Sequence, residues 1–93
     1  MTIGILHVDL RIPESQSLKG KRHILLGLKT RLRQKFNISV SETDNQDKWQ
    51  LATLSVACVG TDRDGVNKVL SYVEEFIRRE RNVELINVEL ELL

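Results

Sequence analysis

A chain of 93 residues with 41% hydrophobic side chains can bury one modest core but not two, which excludes a multidomain architecture. Its 14 basic side chains nearly cancel 13 acidic ones, so the net charge of +1 names no partner. The lone Cys58 excludes an internal disulfide and fits a reducing compartment, and no apolar run approaches the ~20 residues that cross a bilayer.

The opening MTIGILHVDLRIP has no basic leader, long apolar stretch or small-residue cleavage site, so a single domain over 1–93 in the cytoplasm is expected. Residues 3 to 12 alternate, with Leu6, Val8, Leu10 and Ile12 on one side and His7, Asp9 and Arg11 on the other, as in a half-buried strand. Pro13 removes a backbone donor and closes it. From Leu18 the period changes: Leu18, Leu25, Leu28, Leu32 and Phe36 share a helical face, with Ser17 as the expected cap. Ile38 and Val40 begin a second strand, and polar residues 42–48 turn into a third running from Trp49 to Val59. Thr61 with Asp64 resembles a capping box, followed by Val66, Val69, Leu70, Val73 and Ile77 at helical spacing, which predicts a helix over about 62–80. A last strand over 83–92 is expected to bury Ile86, Val88 and Leu90 and to expose Asn87, Glu89 and Glu91.

The order β-α-β-β-α-β with right-handed crossovers predicts an α+β, ferredoxin-like sandwich: a four-stranded antiparallel sheet in the order 4-1-3-2 with both helices on one face. Leu6, Val8, Leu10, Leu54, Val56, Cys58, Ile86 and Val88 are then expected beneath the helices. Ile3, Ile5, Trp49 and Leu51 are assigned to the opposite, uncovered face, as a patch for a second copy or a partner, and a homodimer is expected.

Charge is unevenly placed. Residues 11 to 35 carry eight basic side chains against Glu14 alone, while the remainder holds six basic and twelve acidic. Lys19, Arg22, Leu26, Lys29 and Arg33 recur at steps of three and four and form a stripe beside the leucine face. Lys19, Lys21 and Arg22 oppose the helix dipole, so helix stability does not account for them. Lys19, Lys21, Arg22, Lys29 and Arg33 are therefore assigned to an anionic partner, RNA phosphate being the expected one, although the charge pattern by itself does not separate RNA from an acidic protein surface.

Catalytic patterns do not emerge. The chain has no phosphate-binding glycine loop, no metal-spaced Cys/His set and no local nucleophile motif, so neither cofactor nor metal is expected. His7 reads as a sheet-surface residue, His23 as part of the basic helix, and the acidic turn Glu42, Asp44, Asp47 as a solvated hairpin. Acylphosphatases share the expected fold but hold phosphate in a glycine-containing loop with an arginine after the first strand, where this chain has Pro13-Glu14-Ser15-Gln16-Ser17.

Residues 17 to 62 strongly resemble the bacterial YlxP family, most specifically in Ser17-Leu18-Lys19 with Lys21-Arg22, Arg31-Leu32-Arg33, Phe36-Asn37, Gln46-Asp47, Trp49-Gln50 and Ala52-Thr53-Leu54. Family members often have glutamate at the place of Gly20 and histidine at the place of Asn45; the first difference removes a capping box, and the second argues against a required catalytic histidine in that turn. The resemblance implies the ferredoxin-like fold, a bacterial cytoplasmic setting and, because genes of this family commonly neighbour genes for translation and ribosome maturation, an association with translation. It implies no active site. We expect a non-enzymatic RNA- or ribosome-associated factor, with ribosomal RNA or a ribosomal subunit as partner and without membrane or sequence-specific DNA binding. The alternative is a homo-oligomeric interaction or small-ligand-binding module using the uncovered sheet face.

Overall fold

Period-two burial over ten residues makes the first strand two-sided. Its even positions from Thr2 to Leu10 are buried and its odd positions from Ile3 to Asp9 are half-buried. In the computed structural model, which describes Met1 to Leu93, this strand is β1 (Thr2–Arg11), followed by α1 (Leu18–Lys35), β2 (Ser39–Asp44), β3 (Leu51–Gly60), α2 (Arg63–Arg78) and β4 (Glu84–Leu92). The strands form one antiparallel sheet in the order β2-β3-β1-β4, which is the expected 4-1-3-2 arrangement. The protein is a β-α-β-β-α-β sandwich with both helices on one sheet face. No helix is long and apolar enough to cross a membrane.

The core is where the inward faces meet. Leu6, Val8 and Leu10 of β1 and Ala52, Leu54, Val56 and Cys58 of β3 pack beneath Leu25, Leu28 and Leu32 of α1 and Val66, Leu70, Val73 and Ile77 of α2. The register Leu6↔Val56 and Val8↔Leu54 keeps the inward residues of the two central strands level. α2 lies close against β1 and β3, whereas α1 sits nearest β2. Gly4 permits that approach, because a Cβ there would lie 2.5 Å from Val66 Cγ1 and 2.8 Å from Leu70 Cδ1.

Three local expectations are corrected. Ile86 is 55% exposed and Leu90 43% exposed, not core. The pairing of β1 with β4 shifts between Asp9 and Leu10, so Asn87 faces Asp9 but Leu85 faces Leu10, and Ile86 is the unpaired extra residue of a bulge. Leu90 keeps its inward phase opposite Leu6, but β4 is an edge strand that the helices only partly overhang. The cap of α2 is Asp62, whose carboxylate accepts from the Gly65 amide at 2.7 Å, rather than Thr61 with Asp64. β3 begins at Leu51, which leaves Trp49 in the preceding loop.

Candidate functional site

Ser17 caps α1 as expected, its hydroxyl accepting from the Gly20 amide at 2.9 Å. One turn later, the expected phosphate ligand Lys21 does something else. Lys21 is in phase with Leu25, Leu28 and Leu32, is wholly buried, and donates from Nζ to the carbonyls of Asn45 at 2.6 Å, Lys48 at 2.7 Å and Leu51 at 2.8 Å. Glu42, pointing inward from β2, brings Oε2 to 2.8 Å from the same ammonium. The three carbonyls use the ammonium's donors, so Glu42 Oε2 balances the charge without a hydrogen bond of its own. Lys21 therefore has no surface to offer phosphate, and its assignment to RNA is corrected: it is the clamp of the β2–β3 loop.

The other four basic positions behave differently. Lys19, Arg22 and Arg33 are exposed and Lys29 is half-buried. None pairs with an acidic side chain, although every other cation of α1 is engaged. Lys21 holds Glu42, Arg31 reaches Glu80 at 2.8 Å, and Lys35 lies 5.5 Å over the Phe76 ring. Arg33 Nη2 donates to the Val40 carbonyl of β2 at 3.2 Å, which fixes the last turns of the stripe above the β2 edge. β2 then runs back beneath α1 until its loop meets Lys21. The stripe is thus a cationic ledge along one sheet edge, and it ends at the loop holding Lys48 and Trp49.

That loop is firmly built. Asn45 takes a left-handed conformation (φ 62°), with its amide donating to Asp44 Oδ1 at 2.8 Å and its side chain to Thr53 Oγ1 at 3.0 Å. Gln50 Nε2 donates to the Pro13 and Ser15 carbonyls, both at 3.1 Å, and its carbonyl accepts from the Ile12 amide at 2.8 Å. The turn's acidic residues do not converge, since Glu42 points to Lys21 and Asp44 to its neighbour's amide.

The uncovered sheet face differs from the expected partner patch. Ile3 pairs with Val59 at one end of the sheet, and Leu51 pairs with Arg11 at the other. Their positions are eight residue steps apart along β1, roughly 26 Å at strand rise. Between them lies a polar network: the Ser55 hydroxyl is 2.8 Å from His7 Nδ1 and 2.7 Å from Thr43 Oγ1, and Thr53 Oγ1 donates to Asp9 Oδ1 at 2.7 Å. His7 Nε2 is 3.7 Å from Glu91. Ile3, Ile5, Trp49 and Leu51 therefore do not make one contiguous patch, and Trp49 is not a sheet position at all. The apolar part of this face is its Ile3, Ile5, Ala57 and Val59 end.

The sequence matches the profile of a family described as a protein of unknown function, DUF503, over residues 3–90. The chain belongs to the DUF503 family. A relative from Bacillus subtilis (strain 168), the uncharacterized protein YlxP, is 35% identical over 85 residues, covering 87% of this chain and 92% of the relative. The DUF503 match takes in α1, the β2–β3 loop and both central strands, so ledge and clamped loop alike fall within the family's domain. Two signals for the clamp were present in the sequence: Lys21 keeps step with the leucines of its helix, and Glu42 keeps step with inward-facing Val40 on β2. Opposite charges at two inward phases announce a buried pair.

Proposed function

We propose that this protein is a non-enzymatic, cytoplasmic RNA- or ribosome-associated factor that grips phosphate through Lys19, Arg22, Lys29 and Arg33. The observation that carries this reading is selective pairing: on one helix the cations facing α2 and the core are engaged, while the four on the ledge have no acidic partner. Cations held near one another without counter-charge repel, and a polyanion relieves that repulsion. From Lys19 to Arg33 the helix rises about 21 Å at ~1.5 Å per residue, enough to meet several phosphates. The opposite sheet face, where Asp9, Glu89 and Glu91 stand beside an Arg11–Glu84 pair that cancels, repels the same ligand and leaves the ledge as the side of approach.

Binding measured against salt tests the proposal. With all four cations engaged, log affinity should fall against log salt with a slope of about −3, at roughly −0.7 per phosphate of single-stranded RNA. Replacing Lys19 and Arg22 by glutamate should weaken binding to all sequences alike and flatten the slope, because phosphate contacts position without specifying. Unchanged affinity and slope in a folded double variant would make the ledge an ordinary solvated surface.

A homodimer is a second reading, favoured by Val59, which is 63% exposed across from Ile3 at the apolar end of the open face.

A further inference from the structure

We propose that Trp49 is a stacking platform for one unpaired base of a single-stranded RNA whose phosphates run along the ledge, an inference that rests on the phosphate-binding role of Arg22, Lys29 and Arg33. Trp49 is the chain's single tryptophan, and it is 56% exposed on a loop rather than packed into the core beneath α1. A large ring left wet on a mobile loop would be unremarkable, but this loop is held from three directions. The buried Lys21 ammonium takes the carbonyls on both sides of Trp49, those of Lys48 and Leu51, and Gln50 is tied to the β1–α1 connection by its side chain and its carbonyl. The fold thus desolvates a charge to fix the backbone around a residue whose own side chain it does not bury. A ring presented on a fixed backbone loses little freedom when a planar partner stacks on it.

Its surroundings select the partner. β2 passes beneath α1 from Arg33, which bonds Val40, to Lys21, which bonds the loop, so Trp49 stands at the end of the line Arg33, Lys29, Arg22. Lys48 adds a cation next to the ring, while Glu14 and Asp47 are the acidic side chains of the two adjoining loops. A cationic track ending in an exposed indole matches the two components of a single strand, a charged backbone and splayed bases with π-faces. A duplex satisfies the track alone, because its bases are already stacked.

The single tryptophan makes the test specific to the site. Emission of the wild-type protein is followed while a short oligouridylate, and separately a blunt RNA duplex of equal length, is added at low salt, with affinities measured in parallel by anisotropy of end-labelled RNA. Stacking predicts quenching by the single strand and not by the duplex. Trp49→Ala should weaken single-strand binding at least about fivefold, leave duplex affinity and salt slope unchanged, and be largely rescued by Trp49→Phe. Because the ring is exposed, thermal unfolding of these variants should match wild type. Tight single-strand binding without quenching, or without loss in Trp49→Ala, overturns the stacking role and leaves the ledge standing. Failure of both RNAs to bind removes the ledge as well.

Discussion

Lys21 shows how one side chain can be misassigned when charge is counted without phase. Its ammonium is wholly buried, and its stability depends on three carbonyls and one carboxylate arriving together. Lys21→Met should cost about 3–5 kcal/mol, measured by urea titration, because it strands Glu42 in the interior and leaves the loop carbonyls without a donor. Replacing Glu42 by leucine in the same chain should recover part of that loss, since an apolar pair needs no counter-charge. Cys58 gives a second check on the core. Burial pushes its thiol up from the usual range, so reaction with a bulky thiol reagent at neutral pH should be far slower in the native protein than in urea. The folded form therefore holds that proton to higher pH than the unfolded chain does. Stability from this group is complete below the ordinary thiol pKa of about 8.5 and declines as pH rises from there towards the folded value.

At the scale of elements, the central pair β1 and β3 was readable because each strand alternates without interruption and both faces of the alternation are used. β4 is less plain, because Ile86, Val88 and Leu90 alternate cleanly and only the slip of apolar phase at Leu85-Ile86 marks the one-residue bulge opposite Asp9 and Leu10. Exposed Ile86 should tolerate Ile86→Ser within about 0.5 kcal/mol, whereas a core isoleucine would lose several times that, and denaturation midpoints of the two forms separate these outcomes. Gly4 should behave in the opposite way. Gly4→Ala places a methyl against Val66 and Leu70 and should destabilise the domain by about 1–3 kcal/mol. The start of α1 at Leu18 was legible from Ser17, and the ledge from its spacing, because both are local patterns. The clamped loop was only half legible: Lys21 and Glu42 each announce an inward phase, but nothing in the chain says that the Lys21 ammonium would reach past Glu42 to the backbone carbonyls of residues 45, 48 and 51.

Across the whole molecule, basic and acidic side chains are sorted by surface. The ledge over β2 is uncompensated positive charge, the open sheet face carries Asp9, Glu89 and Glu91 beside the Arg11–Glu84 pair, and Arg31, Arg78 and Arg79 are paired on α2 or across to it. A nearly neutral chain can in this way have a directed field, which net charge conceals. The apolar end of the sheet is separate from both regions, so self-association and RNA binding should be separable by mutation. Val59→Lys should lower the mass seen by sedimentation equilibrium, if copies meet there, while leaving the salt dependence of RNA binding untouched. A wild-type protein that sediments as a monomer at all concentrations would sink the homodimer.

Because Lys21 grips main-chain carbonyls, its clamp on the β2–β3 loop makes no use of the side chains of Asp47, Lys48 or Trp49. The loop is an interchangeable tip on a fixed mount: its side chains can be exchanged to alter what the domain prefers to bind, while the clamp and the fold beneath it stay as they are.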